Sequence, residues 1–261
     1  MEVFEKKSTV EQWDEDYYHP IALKLYDRAI LNMLQMMAVE PGATVLDAGC
    51  GPGVHSIRAA KAGHHVCAID ISEAMLEQAR QRAEAENVAD RIEFYQQDLT
   101  ELDLADSSFR YVFSWGVIVH IPQAEKALDE LARIVKPGGK LALYITNKAA
   151  VDHRIESFVR LVARKPLTGM QHLPLGDGIW YEMNDQKLWV WRFETKAITD
   201  YLATKGFNLK YRHIGELSEI QRRLRGIPRN LLLHLNNLSY RLDWLTELAT
   251  TQLLIFEKQA I

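Results

Sequence analysis

Three glycines alternate in Asp47-Ala48-Gly49-Cys50-Gly51-Pro52-Gly53, directly behind a short apolar run. Glycine lets a chain turn tightly and lets a ligand approach the backbone without a Cβ in the way. A helix that starts at once behind such a turn directs its free amides at the ligand's negative end. The spacing is Gly-x-Gly-x-Gly, whereas a dinucleotide fingerprint needs its third glycine where Val54 stands. That tilts the loop away from NAD. Two more carboxylates close later apolar runs. Asp70 ends HVCAID and has acceptors for both hydroxyls of a ribose; Asp98 ends IEFYQQD and suits an adenine amino donor. Each acid, taken alone, reads equally well as a surface or turn-capping aspartate.

Alternating elements must position these residues. Strands are expected at 44–49, 65–70, 92–98, 109–115 and 140–146. Helices are expected at 54–61, stopped by Gly63; at 73–86, capped by Ser72; and at 122–135, with Pro122 in the first turn. Residues 136–139, Lys-Pro-Gly-Gly, read as a turn. Such alternation implies an α/β, doubly wound sheet with helices on both faces, which binds ligands at the carboxyl ends of its strands. Residues 10–39 read as helical, 147–193 as irregular and aromatic-rich, and 195–205 as a helix. Further on, 207–213 and 250–257 read as strands, and 217–248 as one leucine-rich helical stretch.

The 261 residues are 48% hydrophobic and 25% charged, the profile of a globular chain. A net charge of −4 argues against a general nucleic-acid binder. No apolar run is long enough to cross a bilayer, and the acidic, polar first residues do not read as a secretory signal, so a cytoplasmic protein is expected. Cys50 and Cys67, the only cysteines, give no disulfide framework and are expected as buried free thiols.

In order and spacing, VLDAGCGPG, AIDIS, QQDL, SWGVIVHIP and LARIVKPGGKLALY resemble the class I S-adenosylmethionine-dependent methyltransferases of the metal-independent, small-molecule type, over residues 39–146. The resemblance implies a seven-stranded, mostly parallel sheet with its last strand antiparallel, 207–213 and 250–257 supplying the final two strands. It implies one domain over 1–261: an N-terminal helical cap (1–40), a cofactor-binding core (41–147), an acceptor-side insert (148–194) and C-terminal strands with a helical insert (195–261). It implies S-adenosylmethionine as cofactor. Asp47, Gly49, Cys50 and Gly51 would hold its methionine part and Asp70 its ribose. Ile71 and Met75 would pack beside the adenine, Asp98 accept from its amino group, and the Leu99 amide reach a ring nitrogen. Ser114, Trp115 and Gly116 would line the floor under the sulfonium, and Trp13, Tyr17 and Tyr18 could close over it.

Transfer from a sulfonium to an O or N nucleophile is an in-line displacement, in which an enzyme mainly positions the reactants; a base is needed only for a protonated acceptor. His120 is the leading base candidate, with packing near the cofactor or capping a turn as its other reading; Asp152 and His153 are weaker. The acid pattern of metal-assisted catechol methylation and the motif of DNA amino-methylation are both missing, so no metal and no nucleic acid is expected, only a small-molecule acceptor. Trp180, Tyr181, Trp189, Trp191 and Phe193 could stack on a planar acceptor or cage a cationic amine, or simply form the insert's own core. In a strand, Trp189 and Trp191 would share a face.

Residues 221–242 contain Arg222, Arg223, Arg225, Arg229 and Arg241 and no acid, while Leu231, Leu235, Leu238, Leu242 and Leu245 recur at helical spacing. This reads as a helix packed on the sheet edge or a dimer face, with its arginines in solvent, or as a surface for peripheral contact with an anionic membrane; stable insertion is not expected. Tyr201 and Lys205 match a short-chain dehydrogenase pair but sit late in the chain, and His64-His65 point to opposite faces of a strand. Two other functions stay open: a methyltransferase-fold protein that binds cofactor without catalysis, and an NAD-dependent oxidoreductase. The oligomeric state is not legible.

Overall fold

A computed structural model describes residues 19–164, 169–183 and 186–260. The described elements begin with α1 (Pro20–Met36), which has proline at its first turn and the His19 side chain accepting from the Ile21 amide at 3.3 Å. Of the helical stretch expected from residue 10, the part before 19 lies outside the described residues. Then follow β1 (Thr44–Ala48), α2 (Val54–Lys61), β2 (His65–Asp70), α3 (Glu73–Ala85), β3 (Ile92–Gln96), β4 (Phe109–Trp115), α4 (Ala124–Ile134) and β5 (Val135–Thr146). Ser72 caps α3 as expected, its hydroxyl accepting from the Met75 amide. Helix α4 starts two residues later than expected because Pro122 and Gln123 form the turn ahead of it.

Residues 136–139 are not a turn between elements. Val135 pairs with Phe109 and Lys140 with Tyr111, so they form a bulge inside β5, with Gly138 at φ 72°. The stretch 147–193 is not irregular either. It folds into α5 (Val151–Val162) and an antiparallel sheet of β6 (Gln171–Leu173), β7 (Gly176–Met183) and β8 (Gln186–Phe193). Next come α6 (Thr195–Ala203) and β9 (Phe207–Ile214). The single helical stretch at 217–248 is broken: Gly226 separates a short turn at Ile220–Arg223 from α7 (Ile227–Leu242), and Leu245 has a positive φ. Strand β10 (Thr251–Lys258) completes the elements.

The main sheet has the order β3-β2-β1-β4-β5-β10-β9, with β10 antiparallel to both neighbours and the β1–β5 pairings parallel. Successive side chains on a strand face opposite ways. Val45 and Phe113 therefore join α1, α2, α3 and α7 in one core, while Leu46 and Val112 join α4, α6 and the insert's aromatic side chains in the other. Strand order reverses between β1 and β4, which opens a crevice at their carboxyl ends. Cys50 and Cys67 are buried free thiols. No described helix is long and apolar enough to cross a membrane.

Candidate active site

A cleft of about 950 Å³ lies at that crevice, walled by the loop behind β1, the ends of β2 and β3, and the turn behind β4. The amides of Gly49 and Cys50 both donate to the Ile69 carbonyl at 2.8 Å, which pins the loop to β2. The glycines serve different ends. At Gly49 (φ 87°) a Cβ would fall 2.4 Å from Val117 Cγ1, so this glycine lets the turn behind β4 close on the loop. At Gly51 (φ 50°) nothing lies within 4 Å of a Cβ position, leaving space for a ligand against the backbone.

Asp70 bridges the loop to the next turn: Oδ2 accepts from the Gly51 amide at 2.8 Å and Oδ1 from the Ser72 amide at 2.9 Å. Burial raises its pKa and the amide hydrogen bonds partly offset this. Asp98 Oδ1 accepts from both the amide and the hydroxyl of Thr100 at 2.8 Å. Both acids line the cleft, with Ile71, Met75 and Leu99 as its apolar sides.

Two of the expected side chains stand behind the wall. Asp47 is buried and accepts from Ser56 Oγ at 2.6 Å; burial pushes its pKa up to about 7, against the pull of the Ser56 hydrogen bond. Ser114 is also buried and donates to the Ala48 carbonyl at 2.8 Å, tying β4 to β1. Both face inward because they point into the sheet's own packing. Tyr17, Trp13 and Tyr18 lie outside the described residues.

Trp115 forms the aromatic floor, stacked on Tyr144 at 4.0 Å and 10°, with His55 tilted against it at 5.0 Å. His55, Pro52, Gln97, Val117 and Ile121 also line the cleft, and the sequence reading passed over them. For His55 a signal existed, since it stands in the first turn of the helix behind the glycine loop. Burial holds its imidazole neutral, with a pKa well below 6.5.

His120 ends a short turn, Ile118–His120, and lines the cleft. Its Nδ1 lies 3.0 Å from the Trp189 carbonyl oxygen. A carbonyl only accepts, so Nδ1 carries the proton and Nε2 the lone pair. Burial lowers its pKa to about 4, with Arg222's charge adding to the effect. One strand of the insert sets this geometry: Trp189 accepts from His120, and Trp191 Nε1 donates to the Ile121 carbonyl at 2.8 Å.

Trp189, Trp191 and Phe193 of the insert act as a core, whereas Trp180 is exposed and the Tyr181 hydroxyl accepts from Arg192 at 2.7 Å. Trp191 stacks on Phe193 at 5.1 Å, Trp189 meets Trp191 edge-on, and all three are buried on one face, away from the cleft. Neither weaker base candidate lines the cleft. Asp152 anchors α5 by accepting from the Glu219 amide and the Thr250 hydroxyl, and His153 sits on the same helix. Tyr201 and Lys205 both contact Asp129, and neither lines the cleft.

Residues 45–139 match a family described as "Methyltransferase domain". These residues form a class I methyltransferase domain. The chain is 34% identical over 154 residues to methyltransferase GfsG of Streptomyces halstedii, an alignment covering 57% of this chain and 55% of that protein. It is 41% identical over 109 residues to the demethylmenaquinone methyltransferase of Clavibacter sepedonicus, covering 41% and 43%. The chain thus spans about half the length of these relatives. In fold it superposes on the magnesium protoporphyrin IX methyltransferase of Synechocystis PCC 6803, solved with the demethylated cofactor bound. The TM-score is 0.65 at 17% identity, over 98% of this chain and 97% of that one.

The cofactor of a class I methyltransferase domain is S-adenosylmethionine, and the cleft fits it. Gly51 leaves backbone open to a ligand, two carboxylates supply acceptors for hydroxyl and amino donors, and apolar side chains stand beside them.

Proposed function

We propose that the protein transfers a methyl group from S-adenosylmethionine to an O or N nucleophile of a small molecule, without a metal ion. The observation that carries this reading is the meeting of Gly51, Asp70 and Asp98 in one cleft with the neutral imidazole of His120. When bound, the cofactor supplies an activated methyl group on a positively charged sulfur. Asp70 would accept from the ribose hydroxyls, and Asp98, through Oδ2, from the adenine amino group. Ile71, Met75 and Leu99 would enclose the base, and Trp115 would exclude water beneath the sulfonium. Asp47 and Ser114 act behind the wall, holding the glycine loop and β4 in place. His120 would accept a hydrogen bond from the acceptor at Nε2 and orient it. A pKa near 4 makes it a weak proton sink at neutral pH, so orientation is its main contribution. Among the described residues, no three His, Cys, Asp or Glu side chains converge to hold a metal. Relatives named for demethylmenaquinone and for ubiquinone/menaquinone support a small-molecule acceptor.

Calorimetric titration with S-adenosylmethionine, with its demethylated product and with NAD tests the site. Binding of the first two alone is expected; binding of NAD alone would sink the proposal. Labelled methyl transfer into a small-molecule extract then separates an enzyme from a binder without catalysis.

A further inference from the structure

Two helices turn a stripe of apolar side chains to solvent. On α7, Ile227, Leu231, Leu235, Leu238 and Leu242 form a single stripe at helical spacing, and all five are exposed. The packed face is instead Leu233, Asn236, Ser239 and Tyr240. On α5, Ile155, Phe158, Val159 and Val162 stand at i, i+3, i+4 and i+7 and are likewise exposed, Phe158 by 66%. The polar side of α5 does the docking: Asp152 holds the 218–219 segment and Glu156 pairs with Arg192 at 2.7 Å. A helix of a water-soluble domain ordinarily turns its apolar stripe inward.

Both helices grip one segment. Asn236 of α7 exchanges hydrogen bonds with the Ser218 amide and carbonyl, and Asp152 of α5 accepts from the Ser218 hydroxyl and the Glu219 amide. The same stretch carries Arg222, whose charge is felt by His120 in the cleft. Around the apolar faces Arg223, Arg225 and Arg241 are exposed, and residues 221–242 contain no acid. Trp244 is exposed just past α7.

We propose that the exposed faces of α5 and α7 dock on an anionic bilayer surface. This docking does not rest on the methyltransferase reading. Apolar stripes of this kind enter the headgroup boundary, and arginines beside them attract anionic lipid. A tryptophan suits the same boundary. A second copy is the weaker occupant, because a two-fold pairing through this face sets the same arginine-rich patch against itself.

The test is co-sedimentation of the full chain with phosphatidylcholine vesicles, with and without phosphatidylglycerol. Binding to the anionic vesicles that weakens with salt is expected. The triple variant Phe158→Ser, Leu231→Ser, Leu238→Ser should weaken it about tenfold or more, and Arg223→Ala with Arg225→Ala should remove the salt-sensitive part. None of these residues lines the cleft, so calorimetric binding of S-adenosylmethionine should stay unchanged and report that the variants fold. Absence of wild-type binding to either vesicle overturns the docking, as does binding that survives the substitutions. A concentration-dependent dimer abolished by the same serines would also overturn it, giving the face to a second copy. Vesicle binding without cofactor binding would leave the docking standing and fail the methyltransferase reading alone.

Discussion

Asp70 does two jobs at once, holding the glycine loop through Gly51 and presenting acceptors to the cleft. Asp70→Asn should weaken S-adenosylmethionine binding about 10- to 100-fold by calorimetry, the loss of charge-assisted hydrogen bonds. Asp47 has a different signature. Its folded pKa, about 7, lies above the ordinary carboxylate value of 3.8, so the folded chain keeps a proton that the unfolded chain has released. Its contribution to stability is therefore greatest below about pH 4 and is lost as pH rises through 7. Asp47→Asn retains an acceptor for Ser56 and lacks the titration. Wild-type melting temperatures, measured against this variant, should fall between pH 5 and pH 8, and a constant difference would refute the buried-acid account. For His120, replacement by alanine should lower kcat/KM about 10- to 100-fold, with no limb from this imidazole in the wild-type profile above about pH 5. A limb near pH 6.5 that vanished in His120→Ala would make the histidine a true base instead.

At the scale of elements, the insert sheet matters because β8 clamps the turn that carries His120. Trp191→Phe keeps the stack on Phe193 and removes the donor to Ile121. It should cost about 1 kcal/mol in stability and reduce turnover more than cofactor affinity, as separate melting, kinetic and calorimetric measurements would show. This sheet was the least legible part of the sequence. Strands β1, β2 and β4 could be read closely because each is a short apolar run bounded by polar or glycine residues. In 147–193 charges such as Asp177, Glu182 and Lys187 break the apolar alternation, although each strand pairs with its neighbour in sequence. The Lys-Pro-Gly-Gly bulge looked like a turn because local chemistry does not reveal that both arms continue one strand. The glycine loop, Asp70, Asp98 and His120 could be found by spacing, whereas Asp47 and Ser114 needed the packing to show which way they face. On α7, periodicity revealed an apolar stripe but not that the opposite face packs against the protein.

For the whole molecule, the cleft draws on loops behind four strands, so a ligand there joins pieces far apart in sequence. S-adenosylmethionine at a hundred times its Kd should stabilise the fold by about 2.7 kcal/mol and raise the melting temperature by about 5–10 °C. A thermal shift series with no response would contradict a cofactor held by this cleft. Sheet order has a separate consequence for how the chain is made. Strand β10 lies between β5 and β9 and is the last of the described strands in sequence, yet it is buried from Thr251 to Phe256. While the ribosome is still adding residues 215–250, one edge of the twelve-residue β5 stands open and β9 has no neighbour to join. An unpaired apolar edge is a template for pairing with another chain. The nascent protein is thus exposed to aggregation until β10 has been made, and its yield in cells should depend on how quickly translation passes that interval.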